Sequence, residues 1–68
     1  MPETIENKIE SLRRRGGVTQ ETLADAVGVT RQTIIALEKG NYTPSVLLAL
    51  KIAKFFGESV EKIFKVKL

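Results

Sequence analysis

The chain has 68 residues, which is enough for one small domain and excludes an enzyme with a separate cofactor domain. With 43% hydrophobic residues, 28% charged residues and a net charge of +3, it is too apolar for a disordered tail, and its mild basic excess is compatible with an anionic partner without identifying one. It contains no cysteine and no histidine, which excludes disulfides, zinc sites of the Cys/His type and a histidine acid–base group.

The first predicted element is a helix near the N-terminus. Ile5, Ile9 and Leu12 recur at helical spacing and form one apolar stripe. Pro2-Glu3 can open this helix and Gly16-Gly17 can close it. We therefore expect helix one to begin close to the chain start.

Two further helices of about eight residues are predicted next. Thr19 is a suitable N-cap for a helix over 20–27, and Gly28 follows its last apolar residue. After a two-residue turn, Thr30 can cap a third helix that ends at Lys39, just before another glycine. The interval between the two helices is too short for anything but a tight turn.

The fourth helix is the most apolar of the chain. The start signal lies in 43–45, and the segment 46–56 contains only Lys51 and Lys54 as polar residues. This composition predicts a central helix.

The C-terminal residues change their period. Ser59 can cap a last short helix around 60–64, after which apolar residues and lysines alternate over 64–68. This alternation predicts a short C-terminal strand.

The segment 20–39 carries the most informative pattern, that of a helix-turn-helix. Two short helices cross near right angles only if the facing residue is small and the turn residue tolerates positive φ, and Ala24 and Gly28 meet these demands. The shared core is then expected to contain Leu23, Val27, Val29, Ile34 and Leu37. An ordinary antiparallel helix pair in a small bundle is the alternative.

On these residues the sequence resembles the Cro and phage-repressor type of helix-turn-helix regulators, the Xre family. The resemblance covers about residues 7–64, and its matching segments are 7–9, 12–13, 18–24, 28–34, 37–40, 44–45 and 50–53. It implies an all-α, compact five-helix repressor-like domain, to which the tail 65–68 adds the short strand. We expect one stand-alone domain over residues 1–68, with the helix-turn-helix at about 20–39.

The resemblance implies that the third helix enters the major groove of double-stranded DNA. Arg31 would then donate to guanine and Gln32 would pair with adenine, while Ile35 and Ala36 point outward and can meet only a thymine methyl. The residues implied in contacts with the DNA backbone are Gln20, Thr30, Lys39, Asn41, Tyr42 and Thr43. The alternative for Arg31 and Gln32 is a solvated helix start, and Tyr42 can equally be a packing residue.

Charge within the motif works against DNA binding. Residues 19–43 hold two basic residues against three acids, so phosphate attraction must come from backbone amides, helix N-termini or basic residues elsewhere. Arg14 and Arg15 either form a solvated helix end or contact DNA phosphates. By the resemblance, Arg13 and Glu38 form a structural ion pair that ties helix one to helix three.

The interpretation as a whole is a sequence-specific DNA-binding transcriptional regulator, a repressor that binds a palindromic operator as a homodimer. The alternative is an antitoxin or a protein-interaction adaptor with the same fold. An enzyme is not expected, because the sequence offers no nucleophile–base pair, metal cluster or phosphate loop. We expect no cofactor, no metal, no small-molecule ligand and no membrane partner, and a cytoplasmic location, since no window approaches about 20 uncharged apolar residues.

The dimer is expected to use surface left by helices four and five and by the tail. The predicted interface residues are Leu47, Phe55, Phe64, Val66 and Leu68. The tail strand has no obvious partner within the chain, so we expect it to pair across a two-fold axis or with the N-terminal segment beside it. The alternative is a disordered tail and a Leu47 that the last helix buries.

Overall fold

The computed structural model describes residues 3–67, and these form five helices and a two-stranded sheet. In chain order the elements are β1 (Thr4–Asn7), α1 (Ile9–Arg15), α2 (Gln20–Val27), α3 (Arg31–Glu38), α4 (Val46–Phe56), α5 (Val60–Ile63) and β2 (Phe64–Lys67). The predicted five-helix architecture and the C-terminal strand are confirmed, with α3 ending one residue earlier than expected. No helix among these residues is long and apolar enough to cross a membrane.

One core unites all five helices. Each helix contributes at least one buried apolar side chain, and together these are Ile9, Leu23, Ala24, Val27, Ile34, Leu37, Leu48, Ile52, Ala53 and Ile63. Val29, in the turn between α2 and α3, is partly buried against them. The residues predicted for the helix-turn-helix core therefore all lie in or against this core, which also includes residues of α1, α4 and α5.

The helix starts follow from local sequence. The hydroxyls of Thr19, Thr30 and Ser45 each accept a hydrogen bond from the backbone N–H three residues further on, which satisfies one of the free donors of α2, α3 and α4. Gly28 ends α2 at φ 76°, in the left-handed region that a side chain would strain. These caps define where α2, α3 and α4 begin and where α2 ends.

The predicted start of helix one is wrong. Residues Thr4–Asn7 form a strand, and Pro2 lies outside the described residues. The strand pairs antiparallel with β2, from Thr4 opposite Lys67 to Asn7 opposite Phe64. The helical spacing of Ile5 with Ile9 was misleading because the backbone groups of Ile5 gain partners in the sheet that a frayed helical turn would leave to water.

Two further expectations, on the tail strand and on helix α4, are corrected by the structure. The tail strand does have a partner within the chain, so of the two pairings considered it forms the one with the N-terminal segment. Helix α4 is not enclosed: Leu48, Ile52 and Ala53 are buried, but its other face is open to solvent. Leu47 lies on that open face and is not buried by α5, whereas Leu68 lies outside the described residues.

Candidate nucleic-acid interface

The N-terminal turn of α3 presents two polar side chains to solvent. Ile34 and Leu37 are buried, which turns the opposite face of the helix outward. Arg31 and Gln32 are exposed on the first turn, and Ile35 and Ala36 follow half-buried. The structure therefore brings the four predicted base-contacting residues together on one short stretch of helix.

Beneath this helix lies a network of hydrogen bonds centred on Glu38. The Arg13 guanidinium donates to the Glu38 carboxylate from Nε at 2.7 Å and from Nη2 at 3.2 Å. Only 11% of the Arg13 side chain and 5% of the Glu38 side chain are exposed. Arg13 also donates from Nη1 to the carbonyl of Val18 at 3.0 Å, so the pair joins α1, the following loop and the end of α3.

The environment of Arg13 keeps it charged. The hydrogen bond to Glu38 raises the pKa of Arg13 above its ordinary value, and this outweighs the opposing effect of burial. A folded-state pKa above the unfolded value stabilises the fold below the unfolded pKa, which for arginine covers the whole neutral range. The ion pair therefore links α1 to the end of α3 throughout the neutral pH range.

Gln20 is part of the same network. Its side-chain Nε2 donates to Glu38 Oε1 at 3.0 Å, and the residue is half-buried at the first position of α2. The predicted phosphate contact of Gln20 stays a prediction, and the structure adds a role in fixing α3 that the sequence did not indicate. Nothing local signals this role, because Gln20 and Glu38 meet only through the crossing of α2 and α3.

The remaining candidate residues frame α3 at both ends. Thr30 caps its start, and its hydroxyl lies 3.1 Å from that of Thr33. Lys39, Asn41, Tyr42 and Thr43 are exposed in the segment that follows. Tyr42 lines a groove with Val29 and Leu47, so it lies beside α4 and the turn that precedes α3.

A shallow groove of about 660 Å³ opens beside Arg31. Arg14, Thr19 and Gln20 are among its lining residues. Arg14 forms an exposed ion pair with Glu10 at 2.7 Å, one turn earlier on α1. Such exposed pairs are weak, so this pair does not hold the Arg14 side chain firmly in place. Arg15 is also exposed, but it lines a different groove with residues of α5.

The fold reduces the negative charge that the helix-turn-helix segment presents to solvent. One of the three acids in residues 19–43 is Glu38, whose carboxylate is covered and paired with Arg13 from outside that segment. Its charge is therefore not presented on the outer face of α3. The exposed face retains Arg31 and Lys39, which lie at opposite ends of the helix.

Sequence reasoning missed one further residue at this site, Asn7. Its side-chain Nδ2 donates to the carbonyl of Leu37 at 2.8 Å, and its Oδ1 accepts from the N–H of Ile9 at 3.1 Å. An asparagine two residues before the first residue of a helix is a known local signal, because its side chain can bond the backbone ahead of it. The bond to Leu37 carries no such signal.

Comparisons with known proteins agree with this geometry. A helix-turn-helix family model matches residues 9–63. The chain is 55% identical over 60 residues to the uncharacterised HTH-type transcriptional regulator YgzD of Bacillus subtilis (strain 168), a match that covers 88% of this chain and 91% of that protein. It is 35% identical over 57 residues to the cryptic phage CTXphi transcriptional repressor RstR of Vibrio cholerae, covering 84% of this chain and 51% of RstR.

A solved structure gives the same result for the fold. The restriction-modification controller protein C.AhdI from Aeromonas hydrophila superimposes with a TM-score of 0.75 at 29% identity. The superposition covers 81% of this chain and 83% of C.AhdI.

Proposed function

The chain belongs to the Xre-type helix-turn-helix family of DNA-binding transcriptional regulators, and we propose that it is a repressor that recognises a near-palindromic operator as a homodimer. The observation that carries the proposal is the exposed first turn of α3, a helix whose last residue, Glu38, is paired with Arg13 of α1. Repression is supported by the similarity to RstR, which is named a transcriptional repressor. The family is one of regulators and not a class of enzymes.

Base recognition rests on Arg31 and Gln32. An arginine can donate two hydrogen bonds to guanine O6 and N7, and a glutamine can bond adenine N6 and N7. Ile35 and Ala36, one turn further along the same face, offer only apolar contact and suit the methyl group of thymine. This set of side chains recognises a short half-site in the major groove.

Contacts to the DNA backbone orient the domain. We assign them to the start of α2, to the ends of α3 and to the segment that follows it, through backbone N–H groups and polar side chains. The residues are Gln20, Thr30, Lys39, Asn41, Tyr42 and Thr43. Since only one of them carries a charge, the salt dependence of binding should be shallow for a DNA-binding domain.

The homodimer is assigned to the open face of α4. Val46, Leu47 and Leu50 are 77%, 63% and 54% exposed and lie within two helical turns. A contiguous apolar surface of this kind is typical of a protein interface. Phe55 and Val66 are also exposed and remain candidates for its border.

Phe64 is the weakest of the predicted interface residues. It is half-buried and packs against the core, so a partner chain would gain little by covering it. Because β2 is already paired within the chain, the dimer does not need the tail as its centre.

Selection from random DNA sequences with the purified protein tests this function. We expect an enriched consensus with two-fold symmetry and half-sites about 10 base pairs apart, or a multiple of a helical turn apart. An enriched but asymmetric site would contradict the dimer, and the absence of any enriched sequence would contradict sequence-specific regulation.

Arg31→Ala and Gln32→Ala should each weaken binding to the operator by about 1–3 kcal/mol and relax the preference at one base position. Both side chains are exposed, so the thermal unfolding midpoint should stay nearly unchanged. Fluorescence anisotropy titrations on operator and random duplexes measure the effect. Lys62→Ala is the matched control, because it removes an exposed positive charge from α5, outside the proposed DNA contacts and outside the open face of α4. Equal losses on both duplexes would exclude a role in base recognition.

A further inference from the structure

Asn7 lies where three elements meet. It is the last residue of β1, its backbone pairs with Phe64 of β2, and its side chain reaches the last turn of α3. Both ends of its amide are used, since Oδ1 accepts from Ile9 and Nδ2 donates to Leu37. Only one orientation of the amide satisfies both bonds, so the side chain is fixed in place.

The hydrogen bonds that join α3 to other elements are gathered at one end of the helix. Among residues 3–67, they are those of the Glu38 carboxylate to Arg13 and Gln20 and that of the Leu37 carbonyl to Asn7. At the other end, Thr30 and Thr33 bond only to each other and to the backbone of the same turn. The hydrogen bonds that hold α3 to other elements are therefore at the end opposite to the proposed base-contacting side chains.

This arrangement makes the angle of α3 sensitive to its C-terminal attachments. The helix has eight residues and is about 12 Å long. A tilt of about 5° at the attached end would displace the first turn by about 1 Å over that length. Such a displacement turns a hydrogen bond of about 2.9 Å into a contact too long to count as one.

We propose that Asn7 is a positioning residue for base recognition, which sets the angle of α3 by linking its last turn to the two-stranded sheet. The proposal rests on the proposed function of Arg31 and Gln32. Glu38 joins the last turn of α3 to α1 and α2, whereas Asn7 joins it to β1, so two attachments to different elements hold the same end of the helix.

The C-terminal strand takes part in this positioning. Next to Asn7, the N–H of Lys8 donates to the carbonyl of Ile63 at 2.9 Å, at the junction of α5 and β2. The ladder then continues from Asn7 opposite Phe64 to Thr4 opposite Lys67. Strand β2 therefore supports α3 through Asn7, although no hydrogen bond among the described residues joins β2 to α3 directly.

Two substitutions separate this role from a general effect on folding. Asn7→Asp keeps an oxygen that can accept from Ile9, at a helix start where a negative charge is favourable, but loses the donor to Leu37. Asn7→Ser also keeps an acceptor and is too short to reach Leu37. Val60→Ala is the control, because Val60 is partly buried against the core on α5 and far in sequence from α3.

The measurement is the ratio of affinities for the selected operator and for random DNA, taken at a temperature at which each variant is folded. Loss of folded protein lowers both affinities by the same factor, so it leaves the ratio unchanged. We expect both Asn7 variants to lower the ratio by about fivefold, the effect of one lost hydrogen bond, and Val60→Ala to leave it unchanged.

An unchanged ratio in both Asn7 variants would overturn the positioning role while leaving the proposed function intact. Wild-type protein that itself shows no preference for any sequence would instead overturn the proposed function. A fall in the ratio for Asn7→Asp and Asn7→Ser with a constant ratio for Val60→Ala establishes the proposal.

Discussion

Glu38→Ala is expected to lower the free energy of unfolding by about 3 kcal/mol, because it leaves the Arg13 guanidinium inside the protein without its counter-charge. Arg13 keeps one hydrogen bond, to the Val18 carbonyl, which cannot neutralise it. The Gln20 amide loses its acceptor in the same step. Both charges of the pair are nearly covered, so solvent offers little compensation.

Denaturation by urea, followed by circular dichroism, measures this loss. The double variant with Arg13→Met removes the stranded charge and fills part of its space, so we expect it to recover part of the stability. Glu21→Ala serves as a control, since Glu21 is an exposed acid in the first turn of α2. If the effects of the two single changes simply add, Arg13 and Glu38 do not stabilise each other.

The helices could be predicted from sequence because their signals are local. A threonine or serine that accepts from the N–H three residues later, and a glycine that tolerates positive φ, act within one turn of the chain. The bounds of α2 and α4 therefore agree with the prediction. The spacing of Ile34 and Leu37 likewise fixed which face of α3 is outward.

The strand at the N-terminus could not be predicted in this way. Whether Thr4–Asn7 is a strand or a helical turn depends on β2, which lies at the other end of the chain. The period of Ile5, Ile9 and Leu12 satisfied a helix equally well, and tertiary pairing decided between them. The same limit applies to the side chains of Gln20 and Asn7, whose partners on α3 are brought close only by the complete fold.

The ion pair between Arg13 and Glu38 stands between these cases. No local rule brings two residues on different helices together, and it was the family resemblance that implied their contact. The structure adds what the resemblance did not state, that Gln20 shares the same carboxylate and that Arg13 also holds the Val18 carbonyl. The predicted ion pair is thus part of a hydrogen-bond network that joins α1, α2 and α3.

Leu47→Glu is expected to abolish dimerisation at micromolar concentration and to weaken binding to the full operator by about 100-fold or more. A charge placed in an apolar interface is costly to desolvate. Two separate protomers then bind the two half-sites independently, so the affinity gained when one dimer binds both is lost. Binding to an isolated half-site should change far less, because Leu47 lies on α4, outside the proposed base contacts, and borders only Tyr42 among the proposed backbone contacts. Leu47 is exposed in the monomer, so the stability of the single chain should hardly change.

Sedimentation and titrations on full and half operators test this together. Ser59→Glu changes the net charge by the same amount at an exposed residue before α5 and should leave the dimer intact. Phe55→Glu and Val66→Glu then map the border of the interface. Both side chains are exposed, and both residues lie outside the Val46–Leu50 segment. A dimeric Leu47→Glu protein that binds the full operator as tightly as wild type would show that α4 is not the interface. The apolar stretch would then have to serve a different partner, while the half-site titrations would still report on α3 alone.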